Sequence, residues 1–190
     1  MASELQDRSA KELAKKVLDN PLFEVWTASS HPEVHHYGTG GLLTHTFEVV
    51  TLCAINNMAF TKMGKGVNSD LLFLAALYHD IGKLTDYERV PDTVDDWKST
   101  DDKYKVYHIT RSAIEWTRAV EAVRAAGYEF SKSDEDQVLH GILAHHGRLE
   151  WKSPVTPQDR LAWILHLCDA MSARVDDCVK RSINPHEPKK

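Results

Sequence analysis

A chain of 190 residues, 42% hydrophobic and 27% charged, is long enough to bury one core without disulfides or a structural metal, and it has no apolar run near the ~20 residues a membrane helix needs. Its formal charge of −5 argues against nonspecific binding of long nucleic acids, which requires a broad basic surface. Residues Met1 to Arg8 lack a basic-then-apolar signal architecture, and Cys53, Cys168 and Cys178 form no CxxC pair, so the expectation is one cytoplasmic domain over 1–180 with a frayed tail over 181–190 and no bridge or metal on sulfur.

Helical patterning dominates. Leu5, Leu13, Val17 and Leu18 among charges predict an amphipathic helix from Glu4 to Leu18, ended by Asn20-Pro21. A turn-rich stretch from Thr27 to Gly41, with His31, His35 and His36, leads into a helix from Leu42 to about Phe60 that carries His45 in its first turns. Asp70 to His79 is apolar nearly all round, as a central helix should be, and Gly82 closes it. The polar segment from Thr85 to Tyr107 is an insertion, irregular or folded as a short hairpin. His108 opens a helix to about Ala126, and a capping box at Ser133 to Asp136 opens another that ends at His146 before Gly147. Thr156-Pro157 then starts a last helix to about Lys180. The fold class is all-α.

The chemistry gathers around Leu77-Tyr78-His79-Asp80-Ile81-Gly82-Lys83. Imidazole nitrogen with carboxylate oxygen suits divalent cations such as Mn²⁺, Fe²⁺, Co²⁺, Ni²⁺ and Zn²⁺. His45, His108, His145 and Asp169 each fall beside apolar residues on other helices, the arrangement by which helical proteins build a metal site in their core. A single histidine on a helix is more often a hydrogen-bonded or surface residue than a ligand. The full set is harder to explain in that way, and Asp169 hardest, because it interrupts Ile164, Leu165, Leu167, Ala170 and Met171, where a carboxylate is costly unless paired or ligating.

The order His, His-Asp, His, His, Asp around His79 to Lys83 resembles the HD-domain superfamily of metal-dependent phosphohydrolases, over roughly His31 to Arg174. The segments from His35 to Thr46 and from Ile142 to Pro154 resemble the HD domains of bacterial 3′-5′ exoribonucleases. The first of them, with Thr85 to Val90, also resembles the HD region of mobile-element relaxases. The stretch before His45 is too short for the OB domain that accompanies the exonucleases, and the further regions of relaxases are missing, which argues for a nucleotide or short oligonucleotide over a long polymer. The resemblance implies a helical bundle and two divalent ions. It assigns His45, His79, Asp80 and Asp169 to the first, with Asp80 bridging to a second on His108 and His145.

Lys83, at i+4 from His79, is placed to reach a metal-bound phosphate. Arg111 and Arg148 are candidate phosphate clamps or ordinary surface arginines. His146 is a ligand for a third ion, a proton donor or a supporting residue. His35 and His36 line the pocket mouth or a plain loop, and Trp97, Glu150 and Trp151 offer a base-stacking surface unless the tryptophans fill core. His140, His166 and His186 read as structural or exposed. The leading expectation is phosphoester hydrolysis, with Mn²⁺ the first ion to assay. A mixed-valent di-iron oxygenase of the same superfamily and a non-catalytic nucleotide-binding module are the competing classes.

Overall fold

The structure, a computed structural model, describes residues 5–183, so Glu4, where the first helix was expected to start, His186 and the tail from 184 onward lie outside the described residues. Helices α1 (Arg8–Leu18) and α2 (Pro21–Val25) lead through a loop into α3 (Gly41–Lys62), which is followed by α4 (Ser69–Tyr78) and the single turn α5 (Lys83–Asp86). A two-stranded antiparallel hairpin, β1 (Tyr87–Arg89) and β2 (Trp97–Ser99), pairs Tyr87 with Ser99 and Arg89 with Trp97. After it come α6 (Asp101–Lys105), α7 (His108–Ala125), α8 (Lys132–Ala144) and α9 (Arg160–Ile183). The all-α bundle with a small hairpin in the 85–107 insertion is therefore what folds.

Apolar patterning explains the layout. Every residue of α4 from Asp70 to Tyr78 except Phe73 is buried, so this helix must be surrounded, and it packs against α1, α3, α7, α8 and α9. Its start is capped by Asn68, whose side-chain oxygen accepts from the Asp70 N–H at 2.9 Å. The Asp70 carboxylate in turn accepts from the backbone N–H of Gln6 (3.0 Å) and Asp7 (2.7 Å), tying the beginning of α1 to the central helix. Trp116 of α7 is fully buried and packs edge-on against Tyr78, with ring centroids 5.1 Å apart.

The starts of α8 and α9 differ from the sequence expectation because another polar group captures the orphan N–H groups. Ser131, two residues ahead of the expected box, caps α8 by accepting from Asp134 N–H at 3.0 Å, while Glu135 pairs with Arg124 at 2.8 Å. Asp159 caps α9 by accepting from Ala162 N–H at 2.8 Å, so Thr156-Pro157 stays in the preceding loop. At the other end α9 continues to Ile183, past the expected stop near Lys180.

Gly82 does more than end α4. A Cβ there would stand 2.2 Å from the His108 carbonyl oxygen, and its N–H donates to Ser112 Oγ at 2.9 Å, so the turn after α4 lies directly on the first turn of α7. Gly82→Ala is expected to destabilise the fold by about 1–3 kcal/mol through overpacking. A urea midpoint unchanged from wild type would show that this contact yields freely.

Candidate metal centre

Six donors reach one buried centre from the ends and faces of separate elements. His45 lies in the second turn of α3, His79 caps the C-terminus of α4, and Asp80 sits in the turn beyond. His108 is the first residue of α7, His145 caps the C-terminus of α8, and Asp169 lies midway along α9. All four histidines and Asp80 are 3% exposed or less.

Two groups form around Asp80. On one side His45 Nε2 is 3.3 Å from His79 Nε2, 3.3 Å from Asp80 Oδ2 and 3.1 Å from Asp169 Oδ1. His79 Nε2 is 3.4 Å from Asp80 Oδ2 and 3.8 Å from Asp169 Oδ1. On the other side Asp80 Oδ1 faces His108 Nε2 at 3.4 Å and His145 Nε2 at 3.6 Å. Donors at ~2.1 Å from one cation stand roughly 3.0 Å apart at a right angle and roughly 3.4 Å apart in a tetrahedron, so the first group is spaced as a ligand set.

Hydrogen bonding fixes which ring nitrogens face inward. His79 Nδ1 donates to the Ala76 carbonyl and His145 Nδ1 to the Ile142 carbonyl, both at 2.7 Å. His108 Nδ1 donates to Asp86 Oδ2 at 3.1 Å, and His45 Nδ1 to Ser172 Oγ at 3.0 Å. Every Nε2 is thereby left with its lone pair toward the centre. Asp80 Oδ1, His108 Nε2 and His145 Nε2 are buried with no hydrogen-bond partner. Three converging orphaned acceptors in a protein interior are costly unless a cation takes them, and the donor chemistry fits a divalent ion.

Lys83 is buried, with Nζ 2.6 Å from Asp80 Oδ2. Burial opposes its charge, yet the Asp80 carboxylate raises its pKa above the usual lysine range. Asp80 and Asp169 are driven the other way: burial resists ionisation, but Lys83 and His79 beside Asp80, and His45 beside Asp169, hold both carboxyls far below their ordinary range. Burial keeps His108 and His145 well below the usual imidazole range, hence neutral as ligands must be.

The other candidates are placed around this centre. His146, with Nδ1 donating to the Trp151 carbonyl at 2.7 Å, groups with His108 and His145 so that one ligand atom from each lies within 4.8 Å of the others. His35 and His36 approach His45, with ring centroids 5.5 and 4.9 Å away. Arg111 is held by Asp102 through two hydrogen bonds of 3.1 and 2.6 Å, and Arg148 lies over the Trp151 ring at 4.9 Å. Trp97 packs edge-on to Trp26 in the core, Trp151 is 45% exposed beside the exposed Glu150, and His166 and His140 make structural bonds to the His145 carbonyl and the Gln158 N–H.

Three contributors escaped the sequence reading. Asp86, fully buried with a carboxyl pushed up to about 6 by burial, accepts from both the backbone N–H and the ring of His108. Ser172 passes its hydroxyl hydrogen to Glu48 Oε2 at 2.7 Å, which also accepts from His36 Nε2 at 3.0 Å. A signal existed: Glu48 lies three residues after His45, and Ser172 three after Asp169, one turn along the same helix faces. Ser172→Ala is expected to weaken cation binding about 10- to 100-fold, and Ser172→Thr to restore it, as read by competition with a chelator.

The chain matches the HD domain family across residues 42–174. It belongs to that family. Among curated proteins it is 31% identical over 184 residues to the 3′-5′ exoribonuclease YhaM of Listeria welshimeri, covering 95% of this chain and 53% of the relative. The same-named protein of Oceanobacillus iheyensis is 28% identical over 175 residues, covering 91% of this chain and 50% of the relative. That of Bacillus subtilis is 28% identical over 145 residues, covering 75% and 41%. The chain thus spans about half the length of the first of these relatives. No solved structure matches it.

Proposed function

We propose that this chain is a metal-dependent phosphodiesterase acting on a nucleotide or short oligonucleotide through a dinuclear site. His45, His79, Asp80 and Asp169 would hold one ion, and His108 and His145 would hold the other, with Asp80 shared. The observation that carries this reading is the orientation of Asp80, whose Oδ2 faces one histidine pair at 3.3 and 3.4 Å while Oδ1 faces the other at 3.4 and 3.6 Å. The names of the relatives, which are exoribonucleases, support a nucleic-acid fragment as substrate.

Divalent ions at such a site activate water at neutral pH and neutralise phosphoryl oxygens. The protein's own part is positional. Lys83 places a fixed positive charge against Asp80, where charge grows on a phosphoryl group in the transition state. His146, which offers a ring nitrogen within 4.8 Å of donor atoms of His108 and His145, is the candidate proton donor to a leaving oxygen. Arg148, which is exposed, and Arg111, which is paired with Asp102, are the candidate phosphate contacts.

The test is elemental analysis of purified protein, then assay of Mn²⁺, Fe²⁺, Co²⁺, Ni²⁺ and Zn²⁺ against mononucleotides, cyclic dinucleotides and short RNA and DNA. Metal-dependent release of nucleotides is the expected result. Iron with an optical signature and O₂ consumption, without hydrolysis, would favour an oxygenase instead.

A further inference from the structure

The chain is acidic overall, yet three lysines from separate segments stand on groups that border the metal centre: Lys83 of α5 on Asp80, Lys103 of α6 on Tyr87, and Lys152 in the turn after α8 on Tyr107. Lys83 is satisfied by Asp80. The other two are not satisfied in that way. Lys103 Nζ lies 4.6 Å from the centre of the Tyr87 ring, 3.0 Å from Ser99 Oγ and 3.5 Å from Ser30 Oγ. Lys152 Nζ lies 5.0 Å from the centre of the Tyr107 ring. Among the described residues, neither has a carboxylate within 4.0 Å.

Both tyrosines border the centre. Tyr87 directly follows Asp86, the carboxylate that holds His108, and the Tyr107 ring lies 4.2 Å from the ring of His108. Aromatic faces tolerate cations without neutralising them, so the like charges are left to repel. Burial first, and then the charges of Lys83 and Lys152, depress the pKa of Lys103 despite opposing effects from Tyr104 and Asp86.

The backbone is strained at the same place. Tyr107 (φ 70°) and Lys152 (φ 65°) are both left-handed non-glycine residues, a conformation that costs energy and concentrates at ligand sites. Together they set the Lys152 ammonium against the ring that covers His108.

We infer that Lys103 and Lys152 form a subsite for the phosphate that flanks the scissile one in an oligonucleotide. Lys152 is set back from His108 by one aromatic ring. A strand whose scissile phosphoryl group is held at Asp80 would then bring its next phosphate to Lys152. This inference rests on the phosphodiesterase reading and narrows it: the preferred substrate carries at least two linked phosphates, and a mononucleotide leaves the subsite idle.

The test compares a dinucleotide, a trinucleotide, and a trinucleotide whose flanking linkage is an uncharged methylphosphonate, all with the Mn²⁺-loaded full chain. The expected result is that wild type prefers the all-phosphate trinucleotide, and that neutralising the flanking phosphate lowers kcat/KM about 10-fold, the scale of one charge-assisted contact. Lys103→Met and Lys152→Met should each cost the all-phosphate trinucleotide about as much beyond any loss on the dinucleotide, and little further on the methylphosphonate. Equal cleavage of the charged and uncharged trinucleotides by wild type overturns the subsite, and needs no variant to fold. Equal losses on di- and trinucleotide in both variants also overturn it. A wild type that cleaves neither the dinucleotide nor the trinucleotide with any divalent ion defeats the phosphodiesterase reading itself, and the subsite with it.

Discussion

Asp80→Ala is expected to abolish binding of both cations at once and to lower turnover by about 10³-fold or more, since several kcal/mol of transition-state stabilisation depend on the ions. The reason is the geometry of this carboxylate: its two oxygens face different histidine pairs, so its loss removes a donor from each side. Alanine also strands Lys83, which is buried against that carboxylate, and an unpaired buried charge costs about 3–5 kcal/mol. Asp80→Asn keeps the shape and separates loss of metal from loss of fold. His45→Ala and His108→Ala should each reduce the metal content by only about half. Elemental analysis beside kcat on a dinucleotide checks all four variants. A full complement of metal with normal turnover in Asp80→Ala would sink the dinuclear assignment.

Lys83→Met is expected to act twice. In metal-free protein it removes the counter-charge from buried Asp80, lowering stability by about 3–5 kcal/mol, or very roughly 6–20 °C in Tm for a chain of this size. Mn²⁺ supplies positive charge at the same carboxylate, so loading should recover most of that loss. Turnover should not recover. A preorganised positive charge at the reacting phosphate is worth about 10²–10³ in kcat, and metal content should stay near wild type. Melting curves with and without Mn²⁺, read beside kcat, separate the two roles. Normal turnover in a loaded Lys83→Met protein would leave the lysine purely structural.

The same pair gives metal-free protein a pH dependence of definite sign. Lys83 and His79 hold the Asp80 carboxyl well below its ordinary value. A depressed carboxyl contributes stability that is fully present above its unfolded pKa, about 4, and is lost as pH falls further toward the folded value. Wild type should therefore lose stability below about pH 4 more steeply than Lys83→Met, in which that depression is relieved.

Much of this was legible in the sequence because the signals are local. The apolar run from Leu71 to Leu77 could only be a surrounded helix, and it is. The polar insertion after Lys83 was open between loop and hairpin, and the Tyr87–Ser99 pairing decides for the hairpin. Helix starts were misplaced by two or three residues at Ser133 and Thr156, where several capping residues stand in a row and only packing selects among them.

What the sequence determined by itself was the kind of chemistry: a His-Asp doublet at the end of a core helix, with further imidazoles and a carboxylate interrupting apolar faces. Those features follow from helical periodicity and from the cost of burying charge, both felt within a few residues of chain. What only the tertiary structure decided was partnership. Asp80 divides its oxygens between two histidine pairs, Ser172 reaches His45 across 127 positions, Asp102 pairs with Arg111, and Lys103 and Lys152 each stand over a tyrosine ring. These contacts join segments far apart in the chain, and their energies exist only once packing has brought the segments together.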